Sequence, residues 1–386
     1  MNTPKNRNRR PEWLAGIFLT VALAAPAALQ AEPVVKDGDL PMPLIERFEN
    51  FGAKDGIPTH KVHAVYKTRD GHLWIGTWDG LCVREADGKF KRYGPEDGLS
   101  HKMVLCITED PTTGDLWVAT MRGLNKFSGG KFTQYTQTNS GLPNNVVYGC
   151  DVLDDMVVVA TAAGAGILNL KTGQWRIFDH TNSLMHEPWC YAVKGAKDLI
   201  YWGIWGAGVL EYDFKKNTWK EYRDPDRDFH YDLVPDDGLI NDITSWLSWE
   251  DGILWQNTYF GFTRYDGKKF KTWVQDQSPL LSNFTQIVWP HRRVAWIGMD
   301  KGVSVTDGEV WVNYEVGTDG EGIRTIHRPG AQPEKTVMNT ALANRFVLGI
   351  YVDDEEAWFA TSDGLSRGVY ANPNPYKRLP GIAAAP

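Results

Sequence analysis

The sequence predicts an all-β chain, a seven-bladed β-propeller of four-stranded antiparallel blades, closed by an N-terminal strand that completes the last blade. Three observations predict it. A short apolar stretch centred on Leu-Trp and ending in Gly recurs seven times, its copies stand about 42 residues apart, and glycine-bearing hairpin turns fall at the same place in most copies. Composition agrees, since 17 Trp, 38 Gly and 21 Pro in 386 residues describe a β-rich chain with little helix.

The recurring stretch begins as LWIGTWDGL (73 to 81) and returns as LWVATMRGL (116 to 124), VVVATAAGAGI (157 to 167) and IYWGIWGAGV (200 to 209). LWQNTYFGF (254 to 262), AWIGMDKGV (295 to 303) and AWFATSDGL (357 to 365) follow. Their second residues lie at 74, 117, 158, 201, 255, 296 and 358, so the intervals are 43, 41, 43, 54, 41 and 62. The two long intervals mark insertions near 223–237 and 317–343.

Within the first unit the strands are expected at KVHAVYK (inner), HLWIGT, LCVRE and KFKRY (outer). Asp87 and Gly88 form the hairpin turn before the outer strand, where glycine tolerates positive φ. Gly129 with Gly130, Thr172 with Gly173, Asp266 with Gly267 and Asp307 with Gly308 stand in equivalent places. A blade packed on both sides carries apolar residues on both faces, which is the pattern seen. Trp followed two residues later by Gly or Ala pairs a large residue with a gap.

The ends fit a closed ring. IERFENFGAKDGIPTH (45 to 60) reads like the end of a blade with no blade before it, and the seventh copy stops at GLSRGVY without an outer strand. The N-terminal segment is therefore expected to supply that strand and remove an exposed edge. The resulting division is a signal peptide at 1–31, a linker at 32–44, the propeller at 45–372 and a tail at 373–386. Lys5, Arg7, Arg9 and Arg10 precede an apolar run (13 to 29) too short for a comfortable membrane span, with cleavage expected after Ala31. General secretion is favoured over a twin-arginine route because Pro11 and Glu12 interrupt that pattern.

Cleavage removes four basic residues and one acidic one, leaving 37 against 47, a net charge of −10. Such a chain suits neither phosphate backbones nor anionic lipid, so nucleic-acid and membrane-surface partners are not expected. Cys82, Cys106, Cys150 and Cys190 are too sparse for a disulfide scaffold, and buried free thiols are expected.

The run DGHLWIGTWDGLCV with DGKFKRYGPEDGLSHKMV resembles the two-component regulator propeller repeat, found in periplasmic sensor regions of bacterial hybrid histidine kinases. The resemblance spans about residues 45 to 370, strongest in copies one, two and seven and weaker in three and four, where Val158 and Tyr201 replace Trp. It implies the fold and a sensory role. Those sensors continue into a further β-domain, a membrane span and a kinase, so this chain resembles their sensory half. WD40 and kelch repeats are disfavoured, because WDG occurs once and no Gly-Gly doublet recurs in step.

A site is expected where the loops between second and third strands meet the loops entering the inner strands, at the channel mouth. The first set supplies Trp78, Asp79, Arg122, Trp205, Tyr259, Phe260, Lys301 and Asp363. The second, two residues before each inner strand's first apolar slot, supplies His60, Lys102, Glu187, Asp242 and Arg345, with Asn145 and Asn283 filling the same slot in two blades. Flat aromatic faces beside hydrogen-bonding groups suit sugars, peptides or aromatic compounds. No cofactor is required. Calcium is the one metal candidate, on Asp224, Asp226 and Asp228 in RDPDRDFHYD, although Phe229 and Pro235 stand where an EF-hand needs Gly and Glu, which favours a solvated acidic loop.

The expected role is non-catalytic recognition in the periplasm or outside the cell, of a small molecule or an envelope protein. The alternatives are a propeller enzyme of lyase or hydrolase type, which would need an acid–base pair such as Glu187 with His60 or His186, and a scaffold subunit of an envelope complex.

Overall fold

A computed structural model describes residues 42–225 and 238–371. They form seven antiparallel sheets, each one blade. Blade 1 comprises Val62–Lys67, Leu73–Thr77, Gly80–Arg84 and Phe90–Tyr93, within one or two residues of the expected strands. The inner strands of blades 2 to 7 are Val104–Glu109, Val147–Leu153, Cys190–Ala196, Thr244–Glu250, Thr285–His291 and Val347–Val352. Each inner strand contacts those of both neighbouring blades, so the seven surround a central channel.

The recurring apolar stretch is the second strand of every blade. Its marker residue takes the same register slot each time, opposite the fifth inner-strand residue: Trp74 faces Tyr66, Tyr201 faces Lys194 and Trp358 faces Tyr351. Trp117, Trp296 and Trp358 are almost wholly buried between blades. Two residues on, the small residue makes room for the neighbour: a Cβ on Gly76 would lie 2.6 Å from Val104, and one on Gly203 would lie 2.3 Å from Thr244. Burial of this kind, repeated at seven interfaces, is the main source of stability.

The turn after that strand is built identically in five blades. The Thr77 hydroxyl donates to the Gly80 carbonyl (2.9 Å) and accepts the Asp79 N–H (3.0 Å), and Thr120, Thr161, Thr258 and Thr361 repeat the pattern. The glycine has positive φ, 124° at Gly80 and 133° at Gly302, and a Cβ there would strike the carbonyl at the end of the outer strand. The hairpin glycines of the outer edge, Gly88, Gly130, Gly173, Gly267 and Gly308, also have positive φ, as expected for these turns.

The N-terminal strand Ile45–Phe51 pairs with Gly364–Tyr370 and completes blade 7. Phe48 packs edge-on to Tyr314 and Phe359, at 5.7 and 6.0 Å, and the Tyr314 hydroxyl accepts the Ile45 N–H at 2.7 Å. Blade 6 exceeds the four strands expected. The second insertion folds as a hairpin, Gly322–His327 and Glu334–Met338, which extends the outer strand Trp311–Val316. The four cysteines are free and buried, as expected from their small number.

Candidate functional site

Every inner strand contains the same irregularity. Its pairing with the second strand slips after the first residue, between Val62 and Ala64 in blade 1 and at the equivalent place in all the others. A bulge leaves one residue unpaired and re-aims its side chain. Here the seven bulge residues are His63, Leu105, Tyr148, Tyr191, Ser245, Gln286 and Leu348, and all seven line one cavity at the mouth of the channel.

This cup has a volume of about 290 Å³ and is also walled by Met103, Met121 and Tyr259, with Tyr66, Trp246 and Trp289 below. Among the described residues no Asp, Glu, Lys or Arg side chain lines it. Burial lowers the His63 pKa to about 4, so its imidazole is neutral at neutral pH. Burial, with the neighbouring Tyr148 hydroxyl second, raises the Tyr191 pKa to about 12, and Tyr259 is shifted up by burial too. The cup therefore offers hydrogen-bonding groups without net charge.

Aromatic rings form a continuous wall over blades 3 to 7. Tyr148 stacks on Tyr191 at 4.4 Å and 12°, Tyr191 meets Trp205 at 5.0 Å, and Trp205 meets Tyr259 edge-on at 5.5 Å. Tyr259 stacks on Phe284 at 4.6 Å, and Phe284 reaches Phe346 at 6.2 Å. Because each ring is held by the next, the wall is set before any ligand arrives, which lowers the ordering cost of binding.

Of the expected loop residues Tyr259 alone lines the cup, with Trp205 packed against it. Trp78 is 40% exposed under the Lys61 ammonium, which sits 3.8 Å from its ring centroid. Asp79 lies 3.7 Å from the Arg92 guanidinium. The Phe260 N–H is taken by Thr258, and Arg122, Lys301 and Asp363 are exposed on the rim.

The second expected ring is largely architectural. Backbone carbonyls of His60, Lys102, Asp242 and Asn283 accept the N–H of the turn glycine in the preceding blade, as from Gly80 to Lys102 at 2.6 Å. In blade 4 that role belongs to Pro188, which corrects the placement of Glu187 by one residue. Asn145, Asn283 and Asp242 also use their side chains to hold the loop before them, accepting from Gln137, Gln275 and Asp224 N–H groups. His60, Lys102 and Arg345 remain exposed.

The acid–base pair is not assembled. His60 sits where blade 1 meets blade 7, Glu187 is exposed in the loop entering blade 4, and the His186 imidazole is 3.4 Å from Glu221. Of the calcium candidates, Asp226 and Asp228 lie outside the described residues. Asp224 is buried, with its N–H bound to Asp242. Among the described residues no group of three or more His, Cys, Asp or Glu is arranged to hold a metal.

Sequence reasoning missed the bulge residues because it looked for the site in loops. The signal was present in the inner strands themselves, where His, Tyr, Tyr, Ser and Gln follow the first buried residue in five of seven copies.

Residues 56–79, from the turn entering blade 1 through its second strand, match the family model for the two component regulator propeller. The match covers one blade's worth of sequence. No curated protein matches the chain. Among solved structures it is similar to the extracellular domain assigned to a hybrid two component system of B. thetaiotaomicron, at 16% identity and a TM-score of 0.64, covering 85% of this chain and 42% of that one. It is also similar to virginiamycin B lyase from Staphylococcus aureus, at 13% identity and a TM-score of 0.56, covering 84% and 98%. PorZ, a bacterial surface component of the type-IX secretion system of Porphyromonas gingivalis, matches at 12% identity and a TM-score of 0.53, covering 84% and 38%. The chain thus spans less than half the length of the first and third of these. At such identities the likeness is one of fold.

Proposed function

We propose that this propeller is a non-catalytic recognition module, working outside the cytoplasm, that binds a small uncharged molecule with flat apolar faces in the cup. One observation carries the reading: seven bulges, one per blade, aim seven uncharged side chains into a single cavity walled by stacked aromatic rings. A charged ligand would shed its hydration there without a partner, whereas a sugar ring, a neutral peptide or an aromatic compound would exchange water for ring faces and neutral hydrogen-bonding groups. A signalling role follows from the repeat and from the naming of the B. thetaiotaomicron structure as an extracellular domain of such a system. Among the described residues no helix is long and apolar enough to cross a membrane.

The test is a thermal-shift screen of the protein from residue 32 onward against neutral sugars, peptides and aromatic compounds, followed by titration of any hit. Tyr191→Ala and Tyr259→Ala should each weaken a genuine cup ligand by about tenfold or more. A hit that both variants bind with wild-type affinity sinks the reading.

A second reading has its own observation. Trp189 and Leu184, in the loop entering blade 4, are 49% and 40% exposed on the mouth face, an apolar rim suited to an envelope protein partner. A partner lost with Trp189→Ser and retained by both cup variants would favour docking.

A further inference from the structure

The level beneath the bulges decides how far the cup extends. There the inner strands carry the small residues Ala64, Cys106, Gly149, Ala192 and Gly349 in five blades and Ile287 in blade 6. Blade 5 carries Trp246 instead. Its ring reaches the far side of the channel, packing against the buried cluster that holds Cys106, Trp117 and Cys150 of blades 2 and 3. Its indole N–H donates to the Ser248 hydroxyl at 3.1 Å, and that hydroxyl donates to the Val288 carbonyl at 2.6 Å, which ties the ring to blades 5 and 6.

Trp246 borders two chambers. Above it is the uncharged cup; beyond it lies a cavity of about 80 Å³ bordered by Thr108, Asp151 and Lys194, where the Lys194 ammonium stands 2.9 Å from the Asp151 carboxylate. Cys106 borders both chambers, and Cys150 borders the lower one but not the cup.

We propose that Trp246 is the floor of the cup and the residue that limits the length of ligand the protein accepts, keeping it in the neutral chamber and away from the Asp151–Lys194 pair. Its meaning for specificity rests on the cup being the ligand site, but the barrier itself does not. Tyr66, Ile107 and Trp289 border both chambers as well, but Tyr66 and Trp289 are packed on Tyr351 at the channel wall, whereas Trp246 reaches across, so removing its indole joins the chambers, and a longer ligand with a polar or charged end would then gain a partner in Asp151 or Lys194.

The Cys150 thiol, which borders the lower chamber and not the cup, reports the barrier without any ligand. Native protein is treated with N-ethylmaleimide and the labelled cysteine is located by peptide mass mapping. Cys82 and Cys190 border neither chamber and serve as controls for unfolding. Trp246→Ala should label at Cys150 about tenfold faster than wild type or more, with Cys82 and Cys190 still protected, while Trp246→Phe keeps the wild-type rate. Equal Cys150 rates in wild type and Trp246→Ala overturn the proposal, as does fast labelling of the wild type. If Trp246→Ala unfolds, seen as all four thiols labelling together, Trp246→Leu is judged by the same criterion. Cup variants that leave every ligand response unchanged would remove the binding reading and leave the Cys150 result standing.

Discussion

At the scale of single residues, the glycine ending each mouth turn is held by a constraint that no side chain can meet. Gly302 has φ of 133°, and a Cβ on it would lie 2.1 Å from the Tyr314 carbonyl; Gly267, with φ of 87°, has open space around it. Gly267→Ala should cost about 1 kcal/mol for the left-handed backbone alone. Gly302→Ala should cost about 1–3 kcal/mol more, since the carbonyl must shift. Urea midpoints measure both, and equal costs would show that the turn relaxes freely. His63 sets a pH dependence in the cup wall. Its folded pKa, about 4, lies below the ordinary 6.5, so between those values the unfolded chain binds a proton that the folded chain does not. Stability is then full above pH 6.5 and declines as pH falls towards 4. His327 is shifted in the same direction by burial, so the assignment needs a variant. His63→Gln should flatten the decline in melting temperature across this range, and an unaltered slope would place it in other groups. Tyr259, which lines the cup, and Trp205, packed against it, were legible as candidates because they follow a conspicuous motif. His63, Tyr148 and Tyr191 were not, because only the bulge turns them towards the axis, and a bulge is a property of pairing between strands that a single strand does not display.

At the scale of elements, the seven second strands were readable because two-sided burial leaves a strong signature of Trp, Ile and Val with a small residue at a fixed offset. Even the weak copies keep the slot: Tyr201 fills it and stacks on Trp249 at 5.6 Å. The extra hairpin of blade 6 was legible only as an interval of 62 residues. Its first strand is only half-buried and its second is largely exposed, so their sequence follows solvent more than packing, and Glu334 and Lys335 put charge on the new edge beside Val337, which is 68% exposed. The same hairpin supports ring closure, since the Arg324 guanidinium donates to the Ile45 carbonyl at 3.3 Å. Phe48 is the apolar anchor of that closing strand. Phe48→Ala should cost about 3–5 kcal/mol in denaturant unfolding, and a loss well below that would mean the strand is held by its backbone pairing alone.

At the scale of the whole molecule, the ring depends on packing and not on cross-links. All four thiols are free and buried, so reductant should leave the melting temperature unchanged, and thiol titration after unfolding should find four per chain. A drop in melting temperature with reductant would reveal a disulfide. The ring is closed by partners far apart in sequence, Asn50 beside Ser366 and Phe51 beside Leu365. Synthesis delivers these segments far apart in time. The propeller's first strand has no mate until its last strand appears, so a propeller growing from the ribosome holds an open seam until Gly364–Tyr370 arrives. Completion of the fold is in that sense a check on length: a chain cut short before residue 365 keeps its first six blades in sequence and has nothing with which to close them.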